Sequence, residues 1–146
     1  MDRLATVASA LVSELTAASP DQLRRVALAA AEAATAQTGL SDPRLDGARR
    51  AVAEAQFGSS GELEALESLV AELDEAQWNL KDELEEGKVL LGVHLAAFRK
   101  ARAAGAWVFV LDADARRAAM EATYEAFTAI DDLDALSGVV RQALTG

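Results

Sequence analysis

His94 is the single histidine in the sequence, and so the one side chain whose unperturbed protonation changes near neutral pH. It follows Leu91 by three positions and precedes Phe98 by four, which in a helix sets it beside an apolar stripe. Two readings compete there. As a functional group it would be a general base or a metal ligand; as a structural one it is a core-edge histidine with a ring nitrogen satisfied by a neighbour. Helical di-metal carboxylate centres need a Glu-x-x-His pair from each of two helices. One histidine cannot supply two such pairs, and residue 91 is leucine rather than glutamate. Cysteine is absent, which removes disulfides and thiolate metal sites. Serines and threonines stand mostly at the starts of helical patterns, where capping accounts for them. None lies in a Gly-x-Ser-x-Gly turn, and no glycine-rich phosphate loop occurs. The expectation is a non-enzyme with no catalytic, cofactor-binding or metal-binding residues.

Carboxylates are the abundant chemistry. Between Glu62 and Glu86 there are ten acidic residues and one base, Lys81. In the same stretch Leu63, Leu66, Val70, Leu73, Gln77, Leu80 and Leu84 alternate by three and four, a heptad seam with one polar member. With Leu63 in the first seam position, Glu64, Glu72, Glu75, Asp82, Glu85 and Glu86 fall on the far side, and Trp78 falls among them. A large aromatic within an acidic outer face has the form of a hot spot for a basic protein partner. The alternative is a helix buried on two sides, with Trp78 in the core and the acids a solvated rim. Gln77 within the seam requires a hydrogen-bond partner across helices.

The elements that carry these residues read as helices throughout. Leu4, Val7, Ala8, Leu11, Val12 and Leu15 predict a first helix over about residues 2–18. Ser19-Pro20-Asp21 stops and restarts the chain, and a second helix continues to Thr38, where Gly39 ends it. Ser41-Asp42-Pro43 repeats the start signal for a third helix running towards Phe57, closed by Gly58. Ser59 with Glu62 has capping-box spacing and opens the longest helix, about 60–86, terminated by Gly87. A fifth helix spans about Lys88 to Phe109. Its small residues Ala97, Ala101 and Gly105 allow close approach of a neighbour, and its apolar run from Trp107 to Leu111 is expected at the centre of the fold. Asp112 or Asp114 caps a sixth helix, and Asp131 or Asp132 begins a seventh. The arginine pairs Arg24-Arg25, Arg49-Arg50 and Arg116-Arg117, with Arg99, Lys100 and Arg102, are expected in inter-helix ion pairs. Short connections and repeated stripes predict one all-α domain over residues 1–146, a compact bundle of about seven helices.

The totals bound the partners. With 24 acidic against 14 basic side chains the net charge is −10, which repels nucleic-acid backbones and anionic lipid and attracts a basic protein surface. No run reaches the roughly 18 apolar residues of a membrane span, and the start of the chain lacks the apolar stretch of a secretory signal. A cytoplasmic location is expected.

One stretch carries a family likeness. Gln22-Leu23-Arg24-Arg25-Val26-Ala27-Leu28-Ala29-Ala30-Ala31-Glu32, then Gly39-Leu40-Ser41-Asp42-Pro43-Arg44-Leu45 and Ala48-Arg49-Arg50-Ala51, resembles the opening of helical immunity proteins that accompany bacterial polymorphic toxins. The likeness covers about residues 20–57; the remainder is more similar to uncharacterised helical proteins of actinobacteria. The resemblance implies a stoichiometric inhibitor that occludes a basic toxin domain with an acidic surface. Beside that reading stand a self-associating bundle whose seam pairs with a second copy, and a small-ligand or enzymatic domain with a cavity near His94, Trp107 and Tyr124.

Overall fold

Capping side chains and left-handed residues punctuate the chain at most of the expected places. Ser19 accepts from the Gln22 backbone while the Gln22 side chain accepts from the Ser19 backbone, a reciprocal box that starts α2 (Pro20–Thr38). Gly39 ends it at φ +72°. Asp42 caps α3 (Pro43–Ala53) by accepting from the Arg44 backbone at 2.9 Å. Of the paired candidates later in the chain, Asp114 caps α6 (Ala115–Ile130) and Asp132 accepts from the Ala135 backbone at the start of α7 (Leu133–Thr145). Asp131 instead closes α6 in the left-handed region at φ +55°.

The computed structural model describes residues 3–58 and 60–145, apart from the Ser60 side chain; the proposed cap at Ser59 lies outside the described residues. Among the described residues the chain is all-helical, with α1 (Ser9–Thr16), α4 (Ser60–Glu85) and α5 (Leu91–Val110) completing seven α-helices in a compact bundle. No helix among them is long and apolar enough to cross a membrane.

The first helix is shorter than its periodicity suggests. Arg3–Thr6 forms a 3₁₀ turn, and α1 begins only at Ser9, after Ala8 at φ −150°. Two contacts far along the chain decide this. Leu4 is buried, and Arg3 reaches Glu121 and Glu125 on α6 while its guanidinium lies 4.3 Å from the centre of the Tyr124 ring. Similarly α3 ends at Ala53, short of Phe57, because Ala55 at φ +53° and Gly58 at φ +75° turn the chain, and the Gly58 N–H donates to the Leu111 carbonyl at 2.7 Å. α5 starts at Leu91, since Gly87 at φ +76° opens a turn that takes up Lys88–Leu90.

Trp107 lies at the centre, with 0 % of its surface exposed. Its indole N–H donates to Thr35 Oγ1 on α2 at 2.8 Å, and that hydroxyl donates to the Ala31 carbonyl at 2.7 Å. Ala101, Ala103, Ala104, Gly105 and Ala106 are all buried, so α5 approaches α2, α4 and α6 with little side-chain volume between the backbones.

The arginines divide into two sets. Arg49 pairs with Glu32 across α2–α3, and Arg102 pairs with Asp74 at 2.9 Å and Glu125 at 3.4 Å, so these bridge helices as expected. Arg24 and Arg25 do not form ion pairs in this way. Arg24 donates to the carbonyls of Asp112 and Ala113 and lies 3.7 Å from the centre of the Phe57 ring; Arg25 donates to the Ala143 carbonyl. Both satisfy carbonyls with no helical partner, at the α5–α6 turn and the end of α7.

Arg44 joins α3 to α4 by donating to Asp42 (2.9 and 3.0 Å) and to Glu72. Hydrogen bonds from Arg44 hold both carboxyls below their ordinary pKa. A carboxyl with a lowered folded-state pKa stabilises fully above its unfolded pKa and loses that contribution as pH falls through the folded value. Urea midpoints measured from pH 7 down to pH 2 are therefore expected to fall more steeply below the usual carboxylate range in the native chain than in Arg44→Ala. Parallel curves would remove the link.

Candidate functional site

α4 carries the acidic face. Its 26 residues extend about 39 Å at 1.5 Å per residue, and it packs mainly on α5 and, less, on α3. The two contacts explain why Leu69 is buried beside the seam residue Leu66. Further along, support thins out. After Leu69, Gln77 is the only buried residue of α4, and α5 has none before Ala101. Ala96 and Arg99 of α5 still border Gln37, Thr38, Ala129 and Ile130 of α2 and α6; nearer the Gly87 turn the two helices form a hairpin arm.

Within the arm, His94 Nε2 and Gln77 Oε1 lie 3.0 Å apart, and Gln77 is only 8 % exposed. This is the cross-helix partner that Gln77 needs, and it makes His94 a core-edge residue, its ring edge-on to Phe98. If His94 acts as a packing group, His94→Leu strands a buried amide and costs about 1–3 kcal/mol. Adding Gln77→Leu to His94→Leu is expected to recover most of the loss, because both polar groups then leave together. Chemical denaturation of the two variants measures this; equal stabilities would show that the hydrogen bond is not the cause. His94 and Trp107 are thirteen residues apart on one helix, about 20 Å. A single small cavity therefore does not take in both of them, and Tyr124 is stacked against the Arg3 guanidinium. Among the described residues, no group of three or more His, Asp or Glu side chains is placed to hold a metal ion.

Glu64, Glu72, Glu75, Trp78, Asp82, Glu85 and Glu86 are all exposed. Trp78 is 60 % exposed, which overturns its reading as a core residue. Glu75, Asp82 and Glu85 stand three before, four after and seven after it, the neighbouring positions on a helix surface. Glu72 departs from this set. It lies at the α3 edge, held by Arg44, and belongs to the α3–α4 contact rather than to the strip around Trp78. Glu86 pairs with Lys88 at 2.7 Å beyond the helix end.

Three further apolar side chains are exposed on the arm: Leu90 (79 %), Leu91 (56 %) and Val93 (47 %). The sequence marks Leu91 as part of the apolar side of α5. Its exposure follows from α4 covering one side only of that helix. The signal was present in the sequence as a Gly87-Lys88 turn followed by four apolar residues in five positions, apolar on more faces than one neighbouring helix covers.

No family model, curated protein sequence or solved structure matches the chain.

Proposed function

We propose that this chain is a non-enzymatic binding protein that engages a basic protein partner through the α4 face around Trp78, as an immunity-type inhibitor occludes a cognate toxin. One observation carries the reading: a tryptophan with 60 % of its surface in water sits among Glu75, Asp82 and Glu85 on the outer half of the longest helix. Aromatic side chains this exposed lose much free energy to water and regain it in a partner's pocket. Between residues 75 and 86 five acids face one lysine, which favours a basic surface opposite. The likeness of residues 20–57 to immunity proteins supports the same reading, as does the net charge of −10. Parallel affinity capture from the host with native chain and with a Trp78→Ala, Glu75→Lys variant tests it. A basic protein retained by the native chain and lost by the variant is expected; identical captured proteins on both would overturn the assignment.

A second reading has its own support. Leu90, Leu91 and Val93 are an apolar tip that could instead seat a second copy of the chain. Light scattering that finds a monomer across concentrations removes it.

A further inference from the structure

Asp74 and Arg102 are in contact, so they mark one common side of the α4–α5 pair. On α4, Trp78 stands one turn beyond Asp74 on that side. On α5, Phe98, Leu95 and Leu91 lie one, two and three turns from Arg102 towards the arm's end, on the same side. The same side carries Glu67, Val70, Gly105 and Phe109 nearer the bundle, where with Glu125 of α6 they line an open cleft of about 200 Å³. α6 therefore meets the α5 side of this seam, where Glu125 touches Arg102 and Gly105. It stops at Ile130, and Asp131, at φ +55°, turns the chain away into α7. The end of α6 lies beside Ala96 and Arg99 of α5, and further out the side that carries Trp78, Leu95 and Leu91 is bounded by α4 and α5. Leu95 and Phe98 are half-buried, Leu91 and Trp78 more than half exposed.

We infer that this outer groove is a seat for a single amphipathic helix of basic character belonging to the partner protein. The inference rests on the reading of the acidic face as a partner-binding surface and specifies what the partner presents. The apolar floor asks for a non-polar stripe: Leu91 and Leu95 are one turn apart, matching anchors spaced by three and four on an incoming helix. The rim asks for positive charge, since Glu75, Asp82 and Glu85 are exposed around Trp78 and Lys81 is the one base between them. A straight trough between two antiparallel helices fits a helix rather than a loop.

Titration calorimetry with defined peptides tests this. The first probe is an 18-residue peptide of lysine and leucine with leucines at helical spacing; the controls are the same composition in scrambled order and a glutamate–leucine helix. Binding is followed by the Trp78 indole N–H signal in ¹H–¹⁵N spectra, with the Trp107 signal as internal reference. The expected result is one-to-one binding of the lysine–leucine helix, movement of the Trp78 signal alone, and at least a tenfold loss of affinity in Trp78→Ala with Leu91→Ala. Both positions are exposed, and circular dichroism checks that the variants keep their helix content. Equal binding of ordered and scrambled peptides, or no effect of the double variant, would overturn the groove while leaving a basic partner in place. Preference for the glutamate–leucine helix, or no binding of any basic peptide, would overturn the basic-partner reading itself. A concentration-dependent dimer broken by Leu91→Glu would show that a second copy fills the groove, and would also overturn the inference.

Discussion

Trp107→Ala is expected to destabilise the protein by about 3–5 kcal/mol, the usual range for removing a fully buried large aromatic. Trp107 has no exposed surface and lies where α5 meets α2, so the loss combines transfer free energy with a cavity that alanine-rich neighbours cannot refill by rotating side chains. The indole N–H adds a second part, because Thr35 Oγ1 loses its donor while keeping its own bond to the Ala31 carbonyl. Thr35→Val separates the two parts: it keeps the volume, leaves the indole N–H unpaired, and should cost about 1–3 kcal/mol. In a chain of this size the alanine variant should lower Tm by on the order of 10 °C. Urea unfolding of both variants checks the ranking, and equal costs for the two would mean that packing around Trp107 contributes little.

On the proposed partner-binding reading, Trp78→Ala combined with Glu75→Lys is the second large effect, expected in binding rather than folding. Loss of a central aromatic anchor typically costs 2 kcal/mol or more, about a 30-fold drop in affinity, expressed mainly in the dissociation rate. The charge reversal acts separately by slowing association at low salt and flattening the salt dependence. Both residues are exposed, so the melting temperature should remain within about 2 °C of the native chain. Surface plasmon resonance with the captured partner, at low and high salt, resolves the two contributions. An unchanged dissociation rate would remove Trp78 from the interface.

Local rules made the helices legible. Ser19, Asp42, Asp114 and Gly39 act within their own turns, and each does in the structure what its position in the sequence implies. The misread boundaries share another cause. Arg3 and Leu4 form a 3₁₀ turn because of Glu121, Glu125 and the core, all more than a hundred residues away or set by other helices. The Arg24 and Arg25 contacts depend equally on where the α5–α6 turn and the end of α7 come to rest.

The candidate site was legible as a pattern and ambiguous as a surface. Periodicity puts Trp78 with the acids on one face of α4, but it does not say which faces other helices cover. That depends on α4 lying at one side of the bundle against α5 and α3. The same placement takes Glu72 into the α3 contact and leaves Leu91 uncovered, neither of which follows from the spacing within one helix.

Acrylamide quenching of tryptophan fluorescence in the free protein bears most directly on the exposed arm, since the two tryptophans differ so widely in exposure. A biphasic Stern–Volmer plot is expected, with an accessible red-shifted component that disappears in Trp78→Phe and a blue-shifted residue from Trp107 that quenches little. Uniform protection of both tryptophans in the monomer would contradict it, because the face around Trp78 would then already be covered by the chain itself.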